Sequence, residues 1–101
     1  MKITIDSTSR VKTDRIRDLL HFNLSAFEAE IRRVHVTIRA ESDALGADLS
    51  RCRVVTHLAN RECIQTEELQ ASEALALSRA FERTGRTLNR KCRTGSDGLT
   101  Y

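Results

Sequence analysis

The chain has 101 residues, a formal net charge of +3, and neither Pro nor Trp. That length supports one domain, which buries roughly two thirds of the surface its unfolded chain would expose and leaves no room for a deep cavity walled by its own layers. Asp6, Asp14, Asp18, Glu28 and Glu30 interrupt the N-terminal stretch, and nowhere do the ~20 apolar residues of a membrane span run together, so the expectation is a soluble, cytoplasmic protein with neither signal peptide nor span.

Lys2-Ile3-Thr4-Ile5 alternates and predicts a first strand. Ser7 to Lys12 is polar turn material, after which Thr13 stands where an N-cap belongs, with Asp14 in the first turn. Ile16, Leu20, Leu24, Phe27 and Ile31 then recur at helical spacing with Leu19 beside them, predicting a helix from about Asp14 to Arg32. Phe22 lies off that seam, as an edge contact or part of an exposed patch. Val34 to Ala40 alternates as a half-buried strand with Val34, Val36 and Ile38 inward. Glu41 to Ser50, with Gly46 and several acids, reads as a loop.

Arg51 to Leu58 and Cys63 to Glu67 are the next two strands, with Asn60-Arg61 as the hairpin turn and Asn the residue tolerant of positive φ. Cys63 and Ile64 compete for the inward position of the last strand. A final helix opens at Ser72 or Gln70 and carries Leu77, Phe81, Thr84 and Leu88 along one side. The order is therefore β-α-β-β-β-α: an α+β two-layer sandwich, a four-stranded mixed sheet with two helices on one face, the first two strands parallel. One domain is expected over residues 1–92 and a flexible C-terminal tail over 93–101.

Cys52, Cys63 and Cys92 lack framework spacing, and His21, His35 and His57 are scattered, so reduced, buried or half-buried thiols are expected and no metal or other cofactor. Cys52 and His57 have opposite strand parity and so point to opposite sheet faces. His35, Arg39, Arg53 and His57 take the outward parity of their strands. No Gly-rich phosphate loop, nucleophile elbow or zinc-hydrolase motif is present, which argues against an enzyme and against a small-molecule substrate.

Charge is unevenly spread. Residues 1–40 hold 8 basic and 5 acidic residues (+3), residues 41–78 hold 3 and 7 (−4), and residues 79–101 hold 6 and 2 (+4). On the last helix, Leu77, Phe81, Thr84 and Leu88 cluster within about 60° at 100° per residue, while Arg79, Arg83, Arg86, Arg90 and Arg93 cluster at about 160–240° from Leu77. Lys91 adds charge near the end of that stripe; Glu82, four residues before Arg86, flanks it, and Arg83 has no carboxylate at i±4. Repeating like charges has a helical cost, and guanidinium forks suit phosphate oxygens, so the pattern points to a polyanion rather than to a merely solvated face. Thr84 and Gly85 lower helix propensity beneath it. On the first helix, Arg15, Arg17, His21, Arg32 and Arg33 could extend the surface, but their faces diverge and Asp14, Asp18, Glu28 and Glu30 partly offset them. Arg17 and His21 are carried as candidate RNA contacts.

Three stretches resemble the ribosome hibernation-promoting factor family, also known as ribosome-associated inhibitor or sigma-54 modulation proteins. Thr13-Asp-Arg-Ile-Arg-Asp-Leu-Leu with Leu24, Phe27 and Ile31 looks like the family's first helix. Arg51-Cys-Arg-Val-Val looks like its third strand, and Ser78-Arg-Ala-Phe-Glu-Arg-Thr-Gly-Arg-Thr-Leu-Asn-Arg like its second helix. The resemblance implies a short-form factor on the small ribosomal subunit, in the channel for mRNA and tRNA, blocking translation in resting cells through contacts to 16S rRNA backbone. It maps onto Arg79, Arg83, Arg86 and Arg90, with Lys91 in addition. Ala59-Asn60-Arg61 replaces the family's Gly-rich turn, Ala74 stands where an aromatic is common, and the net charge is modest. The long members' C-terminal dimerisation domain has no room, so a monomer or weak homodimer is expected. The competing readings are a protein–protein interaction module or homodimer and a general double-stranded RNA binder.

Overall fold

The computed structural model describes residues 1–7 and 12–97, the last five of these as backbone only. Its elements run β1 (Lys2–Ser7), α1 (Thr13–Leu24), a 3-10 helix (Ser25–Glu30), β2 (Ile31–Ser42), β3 (Asp48–Leu58), β4 (Cys63–Gln70) and α2 (Glu73–Asp97). The four strands form one mixed sheet in the order β1-β2-β3-β4, with β1 parallel to β2 and the other neighbours antiparallel. This is the expected two-layer α+β sandwich.

Alternation decides which side of the sheet is covered. Ile3, Val34, Thr56 and Ile64 align across the strands, as do Ile5, Val36, Val54 and Thr66 in the next row. These residues face the helices and join Ile16, Leu20 and Leu24 of α1 and Leu77, Phe81 and Leu88 of α2 in one core. Cys52 and His57 lie on opposite faces, Cys52 buried and His57 half-buried on the open side. Ile64 takes the inward position on β4 and leaves Cys63 exposed. Two of the three thiols are therefore buried or half-buried, and the third is not.

Several local expectations are corrected. The first helix stops as an α-helix at Leu24 and tightens into the 3-10 turn; Ile31 and Arg32, expected at its end, open β2. Ile31 is buried in either geometry, so its apolar spacing did not distinguish helix from strand. Lys12 rather than Thr13 is the N-cap of α1 and makes no side-chain capping bond. The loop expected over residues 41–50 shrinks to a turn about Gly46 (φ +85°), where Asp43 Oδ1 accepts the N–H groups of Leu45 and Ala47. In the β3–β4 hairpin, Arg61 rather than Asn60 adopts positive φ, at 73°, while Asn60 Oδ1 accepts the Glu62 N–H at 2.9 Å. The backbone of α2 continues to Asp97, and residues 98–101 of the expected tail lie outside the described residues. No helix among the described residues is long and apolar enough to cross a membrane.

Candidate nucleic-acid interface

Helix α2 is oriented from below. Ser72 Oγ accepts the Leu75 N–H at 3.0 Å and caps its start. Leu77, Phe81, Thr84 and Leu88 are fully buried against the sheet, which turns Arg79, Arg83, Arg86, Arg90 and Lys91 outward, all of them exposed.

The two residues that weaken helix propensity are packing residues. Thr84 Oγ1 donates to the Ala80 carbonyl at 2.8 Å and lies 3.0 Å from Thr66 Oγ1 on β4. A single hydroxyl proton serves only one acceptor, so Thr66 donates to Thr84 in return. Gly85 faces the end of α1: a Cβ there would sit 3.3 Å from the Asn23 carbonyl oxygen and 3.9 Å from Leu24 Cδ2. The missing side chain lets the two helices approach closely. The arginine stripe thus rests on a packed underside.

Arg79, Arg83 and Arg86 form no ion pair with another residue of α2 among the described residues, but the sheet supplies partners that spacing along α2 could not reveal. Arg83 Nη1 donates to the Glu68 carboxylate and, at 2.9 Å, to the Glu67 carbonyl. Lys91 Nζ reaches Glu62 Oε2 at 3.1 Å. Hydrogen bonds from Arg83 first and Gln70 second hold the Glu68 carboxyl below its ordinary value, with the Arg83 and Arg79 charges adding to them. Arg83 and Lys91 are therefore partly neutralised by acids of the sheet and its hairpin. Arg79 and Arg86 have no carboxylate within ion-pairing distance among the described residues.

Two shallow grooves follow the stripe. Arg79 and Arg86 line one of about 570 Å³ with Asn23, Phe27, Glu82, Gly85 and Asn89, between α2 and the end of α1. Arg83, Arg86, Thr87, Asn89 and Arg90 line a second of about 520 Å³. Arg86 and Asn89 border both. Arg17 and His21 are exposed on α1 and line neither groove. The Arg93 backbone continues the helix in step with the stripe, and its side chain lies outside the described residues. Asn23, Phe27 and Asn89 were not legible as site residues, because the meeting of α1 with α2 at Gly85 is a long-range contact.

Chemically, this surface offers charge-assisted donors to phosphate oxygens, an amide at Asn89, and the half-buried ring of Phe27. The thiols offer less: burial first, and then the Glu68 charge, push Cys52 up to about 12, and burial also raises Cys92. A thiol so raised stays protonated and is a poor nucleophile.

No family model matches the chain, and no curated protein matches it. Among solved structures it is similar to a ribosomal subunit interface protein from Coxiella burnetii, with TM-score 0.65 and 13% identity over 90% of this chain and 97% of that one. It is also similar to the N-terminal domain of Protein Y from Thermus thermophilus, with TM-score 0.64 and 23% identity over 89% and 98%. At these identities the likeness establishes a shared fold, including the order of strands and helices that carries α2 across the sheet.

Proposed function

We propose that the chain is a short-form member of the ribosome hibernation-promoting factor family, a non-enzymatic cytoplasmic protein that binds the small ribosomal subunit and restrains translation. The observation that carries this reading is the exposed basic side of α2, with Arg79 and Arg86 unpaired among the described residues, on a fold shared with a protein named for the ribosomal subunit interface. The guanidinium groups neutralise 16S rRNA phosphates, so affinity is largely independent of sequence and falls steeply with salt. Arg86 is the central contact, because it borders both grooves. Arg83 contributes once the polyanion competes with Glu68 for its guanidinium.

The test is co-sedimentation of the purified protein with small subunits across a salt series. Binding at low salt that declines linearly on a log–log scale supports the reading. Equal or better competition by a plain RNA duplex would instead favour a general double-stranded RNA binder.

A further inference from the structure

The open face of the sheet is divided by charge. Toward one end its arginines are neutralised: Arg39 pairs with Asp6 at 3.0 Å, Arg51 with Glu41 at 2.6 Å and with Glu67, and Arg53 with Glu67 at 3.6 Å. Toward the other end, Lys2, Arg33 and His57 align across β1, β2 and β3 in one row, and Arg32 and Arg61 stand beside it. None of these four cations has an ion pair among the described residues. The acid that borders them, Glu62, is held by Lys91. Together they line a depression of about 420 Å³.

Two backbone irregularities build this cluster. A register shift between Ile31 and Arg33 places Arg32 and Arg33, both exposed, between the inward residues Ile31 and Val34. A regular strand would turn one of the two toward the core; the bulge turns both outward. At the facing hairpin, Arg61 holds a left-handed φ of 73°, a conformation that Gly or Asn would adopt at lower cost. Each departure from regular geometry brings an arginine to the same place, at the expense of like-charge repulsion, and the acid lining the depression, Glu62, is engaged by Lys91.

We propose that this depression is a second phosphate site, which takes the backbone of a single-stranded RNA segment on the face opposite the α2 stripe. Five cationic or protonatable groups around an open, mostly polar concavity match successive phosphodiesters, and the imidazole of His57 adds a donor to a phosphate oxygen or a surface for a base. The domain would then hold RNA on both faces at once. This extends the RNA reading above to a second surface, and its test separates the two.

The test is titration of ¹⁵N-labelled protein with a ten-nucleotide oligouridylate at low salt, read by amide shifts. We expect the amides of Lys2, Arg33, His57 and Arg61 to shift in the wild type and equally in Arg79→Glu/Arg86→Glu. In Arg33→Glu/Arg61→Glu those shifts should vanish while the α2 amides still move. If that variant lacks a dispersed spectrum, Arg33→Gln/Arg61→Gly replaces it, since Gly accepts the left-handed backbone at position 61. An open face that never responds, that loses its response in the α2 variant alone, or that shifts with protein concentration without RNA overturns the second site. Shifts on the open face with none on α2 overturn the stripe instead.

Discussion

Arg83 spans from α2 to β4 and ties its guanidinium to the carboxylate of Glu68, so the basic stripe is partly neutralised by the sheet on which its helix packs. The pair lowers the local field at the middle of the proposed interface while leaving Arg79 and Arg86 on either side available. We expect Glu68→Gln to bind small subunits roughly two- to fivefold more tightly, on the scale of one exposed ion pair's up to about 1 kcal/mol. Co-sedimentation at fixed salt measures the change.

The same contact gives a pH dependence. The Glu68 carboxyl lies below its ordinary value of 4.5 in the folded chain. Its contribution is therefore fully present above the unfolded value and is lost as pH falls through the lowered one. Thermal unfolding from about pH 5 downward should show a smaller loss of stability in Glu68→Gln than in the wild type.

Thr84 and Thr66 share a buried hydroxyl pair between α2 and β4. Thr84→Val leaves the Thr66 hydroxyl unpartnered and should cost about 1–3 kcal/mol in urea unfolding. Replacing both by Val should restore most of that, because no orphaned group then remains.

Thr56 supplies the contrasting case, since its buried Oγ1 has no hydrogen-bond partner among the described residues. Thr56→Val, which keeps the β-branched shape, should stabilise the protein by about 1 kcal/mol. A loss of stability would mean that the hydroxyl is satisfied in solution.

Gly85 gives a steric test of the helix contact beneath the stripe. Ala there would gain about 1 kcal/mol of helix propensity on an open helix. Here its Cβ would meet the Asn23 carbonyl at 3.3 Å, closer than most such contacts, and that oxygen is fixed in the backbone of α1. We expect Gly85→Ala to bring no gain and Gly85→Leu to destabilise by about 1–3 kcal/mol in thermal unfolding.

The layer order and the buried sides of β2 and β3 were legible in the sequence because period-2 and period-3.6 patterns are local. On β4, by contrast, Cys63 and Ile64 competed until the sheet register placed Ile64 inward. Val34, Val36 and Ile38 point inward, and Leu77, Phe81 and Leu88 lie beneath α2, as their spacing indicates. Ile31 marks where locality failed: it continues the apolar period of α1 yet begins β2, since both elements bury it in the same core. The stripe was legible as a surface, but its partners were not. Glu68 and Glu62 are 15 and 29 residues from the cations they pair with, and only the sheet register brings them together. The cluster around Arg33 was hidden for a similar reason, because a bulge and a left-handed Arg61 break the parity by which outward residues are counted.

Arg79→Glu/Arg86→Glu, compared with the wild type in co-sedimentation with the small ribosomal subunit at physiological salt, tests the proposed role of α2 most directly. Both residues are exposed and form no ion pair among the described residues, so the fold should survive the reversal. We expect the variant to remain in the supernatant while the wild type pellets with the subunit. Equal pelleting of the two proteins, with the variant's melting temperature unchanged, would contradict an RNA grip through α2.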